Sequence, residues 1–390
     1  AKQAAAVVQS AGQKMEQVAA SLKRFGAGMA SAGRRMTLMV TGPLAALGAF
    51  AIKAGADFDS GFAGVKKTVD ATGSELAILR EQFKGLAGEI PIVAEELLGI
   101  GETAGQLGIQ TGKIISFTKT IAELGVATNL SSEEAATSLA RFANITGMSQ
   151  DKFSNLGSTI VALGNSLATT ERDIVSMATR LAGAGTTIGM TEPQILALAG
   201  ALSSVGLQAE AGGTAFSKLF LDIAEQVATT GDQLEMFALI SNKTVEEFST
   251  LFRKNAVGAI QEFLKGLNQL DKESKILALK ELKVESVRMV DALLRSSGAV
   301  DLLSTALKTA DISFKENTAL AREASVRFKT FWSQIKLLRN QIKLLMGEAF
   351  EIMEPVLRQI IQSVKSSVES WRGFSTEVKT TIIAVFSLVA

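Results

Sequence analysis

Phe142-Ala143-Asn144-Ile145-Thr146-Gly147-Met148-Ser149-Gln150-Asp151-Lys152-Phe153 holds the end of one helix and the start of the next within a single short run. Gly147 stands where a residue just past a helix needs positive φ, Ser149 where an N-cap hydroxyl takes up a free amide, and Asp151 places an acid in the turn that follows. The arrangement recurs as Phe237-Ala238-Leu239-Ile240-Ser241-Asn242-Lys243-Thr244-Val245-Glu246-Glu247-Phe248, with Asn242 as the turn residue and Thr244 as the cap. One joint used twice implies helices packed as neighbours across tight turns. Neither second helix carries a row of Arg, Asn or Gln for base edges, so the joint does not read as a DNA-binding helix-turn-helix, and no sequence-specific nucleic-acid binding is expected.

Similar punctuation runs along the chain. Ser131 with Glu134 and Thr191 with Gln194 have capping-box spacing, and Pro193 falls in a first turn where its missing N–H costs little. Gly108 and Gly125, Gly147 and Gly164, and Gly189 and Gly206 repeat one interval that fits one helix per unit. Strand-period alternation is absent. The fold class is therefore all-α: a multi-helix domain of short helical hairpins followed by long helices of coiled-coil character. Residues 1–56 read as an amphipathic helix and an apolar hairpin, 57–230 as a helical core, 231–310 as a second helical subdomain, and 311–390 as long helices leading into an apolar segment. Met36 to Ile52 is an uncharged run near the lower limit for a membrane span, and Gly42-Pro43 makes a hairpin at least as good a reading.

Composition removes most reactive chemistry. With 0 His, 0 Cys and 0 Tyr in 390 residues there is no histidine base, no thiolate and no Cys or His metal cage. No catalytic residue, cofactor or metal site is expected. The adjacent acids Glu95-Glu96, Glu133-Glu134 and Glu246-Glu247 fit helix first turns, because side chains one residue apart point in different directions and do not converge on one atom. A net charge of +1 gives no global footprint for nucleic acid. Hydrophobic content of 47 % with a mean hydropathy of +0.26 suggests apolar surface meant for partners or lipid. Ala1 is not an initiator Met and the chain stops inside an uncharged run begun at Thr380, so it reads as a fragment of something longer.

The run Leu202-Ser203-Ser204-Val205-Gly206-Leu207-Gln208-Ala209-Glu210-Ala211-Gly212-Gly213-Thr214-Ala215-Phe216 resembles the core signature of phage tail tape measure proteins. So, in order, do Ala56-Asp57-Phe58-Asp59, Val65-Lys66-Lys67-Thr68-Val69, Leu86-Ala87-Gly88-Glu89-Ile90-Pro91, Gly258-Ala259-Ile260-Gln261-Glu262-Phe263-Leu264-Lys265-Gly266-Leu267, Gly347-Glu348-Ala349-Phe350 and Pro355. The resemblance implies a minor tail protein of the virion, assembled in the host cytoplasm and lodged inside the tail tube, where it sets tube length. It also implies partners: tail tube protein, tail assembly chaperones, tail tip or baseplate proteins, further copies of itself, and the host membrane at infection. A pore-forming helical protein is the alternative that the hydrophobicity would suit. A peptidoglycan-cleaving enzyme would need an acid in a cleft, for which there is no distinctive motif.

Phe328, Phe331, Ile335, Leu338, Ile342, Leu345, Ala349, Ile352 and Val356 follow the alternating three-and-four spacing of a coiled-coil seam. Leu337, Leu344 and Met346 widen the stripe, so the seam fits either a second copy or burial within the same chain. Gly347 and Pro355 are expected to weaken or kink this helix. Arg322, Arg327, Lys329, Lys336, Arg339 and Lys343 face the single acid Glu323 here. That local charge reads as a solvated face, or as a contact for an acidic surface such as the tube lumen, DNA or anionic lipid.

Overall fold

The computed structural model describes residues 37–284 and 286–373. Among them every regular element is helical, in seventeen α-helices and two 3₁₀ turns, as the capping signals predict. Of the described residues, 60–341 form one compact unit, and those before 60 and after 341 form another.

Three helical hairpins build the larger unit: α4 (Ile114–Ala127) with α5 (Ser132–Thr146), α6 (Phe153–Ser166) with α7 (Glu171–Thr187), and α8 (Glu192–Ser204) with α9 (Ala209–Thr229). The first helices of the hairpins, α4, α6 and α8, lie side by side, and so do the second helices, α5, α7 and α9. A hairpin cannot bury its own apolar face, and stacking joins these faces into one core. Ahead of the stack lie α2 (Gly73–Glu89) and α3 (Ala94–Gln106), with α3 packed on α4. After it come α10 (Leu234–Ile240), α11 (Val245–Lys254), α12 (Ala256–Gln269), α13 (Lys272–Glu281) and α14 (Val287–Ser297). Phe237, Phe248 and Phe263 from α10, α11 and α12 are buried together, Phe237 lying 6.3 Å from Phe248 and 5.3 Å from Phe263.

The chain then returns. α15 (Val300–Glu316) packs on α6 and α8, and α16 (Ala319–Phe328) packs on α4 and α6. Between α7 on one side and α15 on the other, α8 buries every residue from Ile195 to Leu202, which explains why its sequence is apolar all round. Asn317 turns the chain between α15 and α16 in the left-handed conformation, at φ 51°. Its Oδ1 accepts hydrogen bonds from the hydroxyls of Ser154 and Ser158 on α6, both at 2.9 Å.

Both joints form where the sequence places them. Gly147 (φ 69°) and Asn242 (φ 52°) take the left-handed conformation, and Thr244 and Glu247 close a full capping box. The first joint differs by a 3₁₀ turn at Gln150–Lys152, inserted between the Ser149 cap and α6. Gly108, Gly189 and Gly206 also turn the chain at positive φ. Gly125 and Gly164 do not: they stay within the last turns of α4 and α6. A Cβ there would sit 2.6 Å from Ser132 Oγ and 2.7 Å from Glu171 Oε1, at the first residues of α5 and α7. Their interval reflects close approach rather than helix termination.

In α1 (Thr37–Thr68) the helix runs through Gly42-Pro43, so the hairpin expected there is not formed. Pro43 lies in the second turn, where it forfeits one hydrogen bond near the helix start while the long remainder continues. No helix among the described residues is long and apolar enough to cross a membrane. The amphipathic helix expected over residues 1–35 and the run Thr380–Ala390 lie outside the described residues. In the smaller unit, Gly55 of α1 lies against the ring of Phe350 on α17 (Phe331–Gly373), the longest helix at 43 residues.

Candidate assembly surface

α17 is continuous through Gly347 and Pro355. It does not include Phe328, which closes α16 half-buried. There Gln334 Nε2 donates to the Phe328 carbonyl at 2.8 Å, and the Ser333 N–H donates to Thr330 Oγ1 at 3.4 Å, starting a new helix. The other eight seam residues lie on α17. At about 100° per residue they cluster on one side of it. Phe331, Ile335, Leu338, Ile342, Leu345, Ile352 and Val356 are exposed, from 40 % at Ile335 to 81 % at Ile352, and Ala349 is half-buried.

The opposite side of the helix carries a residue that the seam pattern gave no reason to single out. Asn340 is 2 % exposed, and its Nδ2 lies within hydrogen-bonding distance of three carbonyls: Ala87 at 3.0 Å, Ile90 at 3.4 Å and Ile92 at 2.6 Å. Ala87 is in the last turn of α2, and the residue whose N–H would reach its carbonyl is Pro91, which has none. The Asn340 amide supplies the missing donor. Leu337 and Leu344, half-buried, lie on the same side as Asn340 and so belong to an inner face rather than to the seam. One signal for this face was available: a lone Asn set between Leu337 and Leu344 at helical spacing.

Trp332, Lys336, Arg339 and Lys343 share one flank between the two faces. Phe331 and Trp332 are each 73 % exposed, with their rings edge-on at 6.0 Å. Glu323 pairs with Arg327 at 3.5 Å, within α16.

The adjacent acids sit in the first turns of α3, α5 and α11. The Ser131 N–H and hydroxyl hold Glu134 below the usual carboxylate range, with Arg172 adding to the effect, and Thr244 does the same for Glu247. Burial pushes Glu123 up, against the opposing charge of Lys119. Among the described residues no group of three or more His, Cys, Asp or Glu is placed to hold a metal ion.

A stacked-hairpin body followed by a long helix with an exposed apolar face defines an all-helical protein with no strand among the described residues. Residues 80–283, just over half of the chain, match the family described as phage-related minor tail protein, and the chain belongs to that tape-measure-associated family. It is a family of structural tail proteins rather than enzymes, and the chain is accordingly a component of the virion tail. No curated protein and no solved structure matches the chain. The matched span begins within α2 and ends just after α13, so α15 and α16, which cover the stack, lie beyond it.

Proposed function

We propose that the chain is part of a tape measure protein, a scaffold inside the tail tube that sets tube length during assembly. The observation that carries this reading is the 43-residue α17, with its exposed apolar seam, downstream of the helices that match the family. The body is the docking part, engaging tail assembly chaperones and the tip or baseplate. The helical tract is the measuring part, against which tube protein polymerises. Copies associate through Phe331, Ile335, Leu338, Ile342, Leu345, Ala349, Ile352 and Val356. The same reading includes genome ejection, with host-membrane contact at infection and no catalytic step.

A helix rises about 1.5 Å per residue, so heptads duplicated in α17 of the full-length protein should lengthen the tail in proportion. Electron micrographs measure this directly. Tails of unchanged length from particles that assemble normally would overturn the measuring role.

A further inference from the structure

We infer that the break between α16 and α17 at Lys329-Thr330 is a two-state hinge. One state is the bent form of this structure, latched by Asn340; in the other the latch is open and residues 319–341 form one continuous helix. From Ala319 to Met346 the sequence holds neither Gly nor Pro, so nothing in its composition ends a helix at Phe328. The apolar phase also runs through the break. On an unbroken helix Leu320, Ala324, Phe328, Phe331, Ile335 and Leu338 would share one sector of about 80°. In the bent chain that single stripe is divided. Leu320 and Ala324 are each 1 % exposed where α16 packs on α4 and α6, whereas Phe331 and Leu338 are 73 % and 53 % exposed. Two residues turn the stripe from the core to the surface.

Polar contacts hold the bend. Thr330 Oγ1 accepts from the Ser333 N–H at 3.4 Å, Gln334 Nε2 donates to the Phe328 carbonyl at 2.8 Å, and the Thr330 N–H donates to the Arg327 carbonyl at 3.2 Å. Further along, the Asn340 amide grips the Ala87 and Ile92 carbonyls, while its own Oδ1 is buried without a partner. Straightening exchanges these contacts for backbone bonds. The N–H groups of Phe331, Trp332 and Ser333 stand in a first turn, where a helix leaves amides without acceptors of its own, and would take up the carbonyls of Arg327, Phe328 and Lys329. The two states exclude one another. Asn340 lies ten residues past Thr330, about 15 Å along the helix, so a swing of about 30° carries its amide roughly 8 Å. Opening the latch therefore frees the start of α17 and returns Phe328 to the seam.

Spin labels on Arg322→Cys and Lys336→Cys report the hinge in a chain with 0 native Cys, and both sites are exposed within the unit of residues 60–341. A continuous helix sets these positions about 21 Å apart along its axis, and the bend brings them closer. The parent should show the shorter distance. Thr330→Ala should raise the ratio of long to short distances about fivefold by removing one cap, and Asn340→Ala about tenfold by opening the latch. Phe331→Pro, added to either, should reverse the shift, because Pro suits the first position of α17 and cannot continue α16. Thr330 is exposed, so Thr330→Ala reads the hinge even where Asn340→Ala fails to fold. Distances unchanged from the parent in variants that keep their helical circular dichroism would overturn the hinge, as would a long-distance population that Phe331→Pro does not remove. Neither result bears on tail length, so the measuring role stands or falls separately.

Discussion

Asn340 does for Ala87 what the peptide nitrogen of Pro91 cannot. Replacing it with Ala leaves buried carbonyls without a donor, which costs about 1–3 kcal/mol for such a group. Urea unfolding should show that loss, and hydrogen exchange should show it localised to the α2 end and the α17 start. Two glycines separate space from conformation as causes of instability. A Cβ at Gly266 would fall far inside van der Waals contact distance of the Ile240 carbonyl oxygen, a backbone atom that cannot swing aside. Gly266→Ala should therefore cost about 3 kcal/mol or more by overpacking. Gly147 faces open space but sits at φ 69°, so Gly147→Ala should cost only the left-handed penalty, about 1–2 kcal/mol. Equal denaturant midpoints for the two variants would contradict the distinction.

Helix starts are the elements most exposed to pH. Glu75, Glu134 and Glu247 each accept from the backbone and hydroxyl of their N-cap residues Thr72, Ser131 and Thr244, and all three are held below their ordinary pKa. With the folded pKa lowered, their contribution is complete above the unfolded pKa and disappears as pH falls through the folded one. Acid titration of Glu134→Gln and Glu247→Gln should accordingly show less stability lost in that range than in the parent. Ser131→Ala and Thr244→Ala should each cost about 1 kcal/mol at neutral pH. Charges at Ile335 and Leu345 should lower the oligomeric state while residues 57–230 stay folded, since burying a lone charge costs several kcal/mol. Collapse of the whole fold, with no smaller species, would favour burial of the seam within one chain. These starts and stops were legible because a cap is a local event, complete within a few residues. The return of α15 and α16 onto the stack was not, nor was the pairing of Asn340 with α2, since both depend on contacts far apart in the chain. Phe328 kept the seam spacing by sequence and left it in space, because periodicity does not register the break at Lys329-Thr330.

At the scale of the whole molecule, stacking and measuring place opposite demands on a chain. Residues 60–341 fold back on themselves, so each added residue thickens the body rather than extending it. α17 instead gains about 1.5 Å per residue, or roughly 65 Å over its 43 residues, whereas 390 residues drawn out wholly as helix would reach roughly 590 Å. Deletions in the two parts of the full-length protein should therefore fail differently. Removing the α6–α7 hairpin strips cover from α5, α8, α9, α15 and α16 and should abolish assembly. Removing residues from α17 in multiples of seven keeps the seam on one side and should leave viable particles whose tails shorten by about 1.5 Å per residue across the series. Deletions that are not multiples of seven turn the downstream seam away from its partner, and should assemble poorly even when they are smaller. Electron micrographs of a graded series, sparing the joints at Gly147-Met148-Ser149 and Asn242-Lys243-Thr244, distinguish these outcomes. Constant tail length across viable heptad deletions would remove measurement from this helix and leave it as an assembly scaffold.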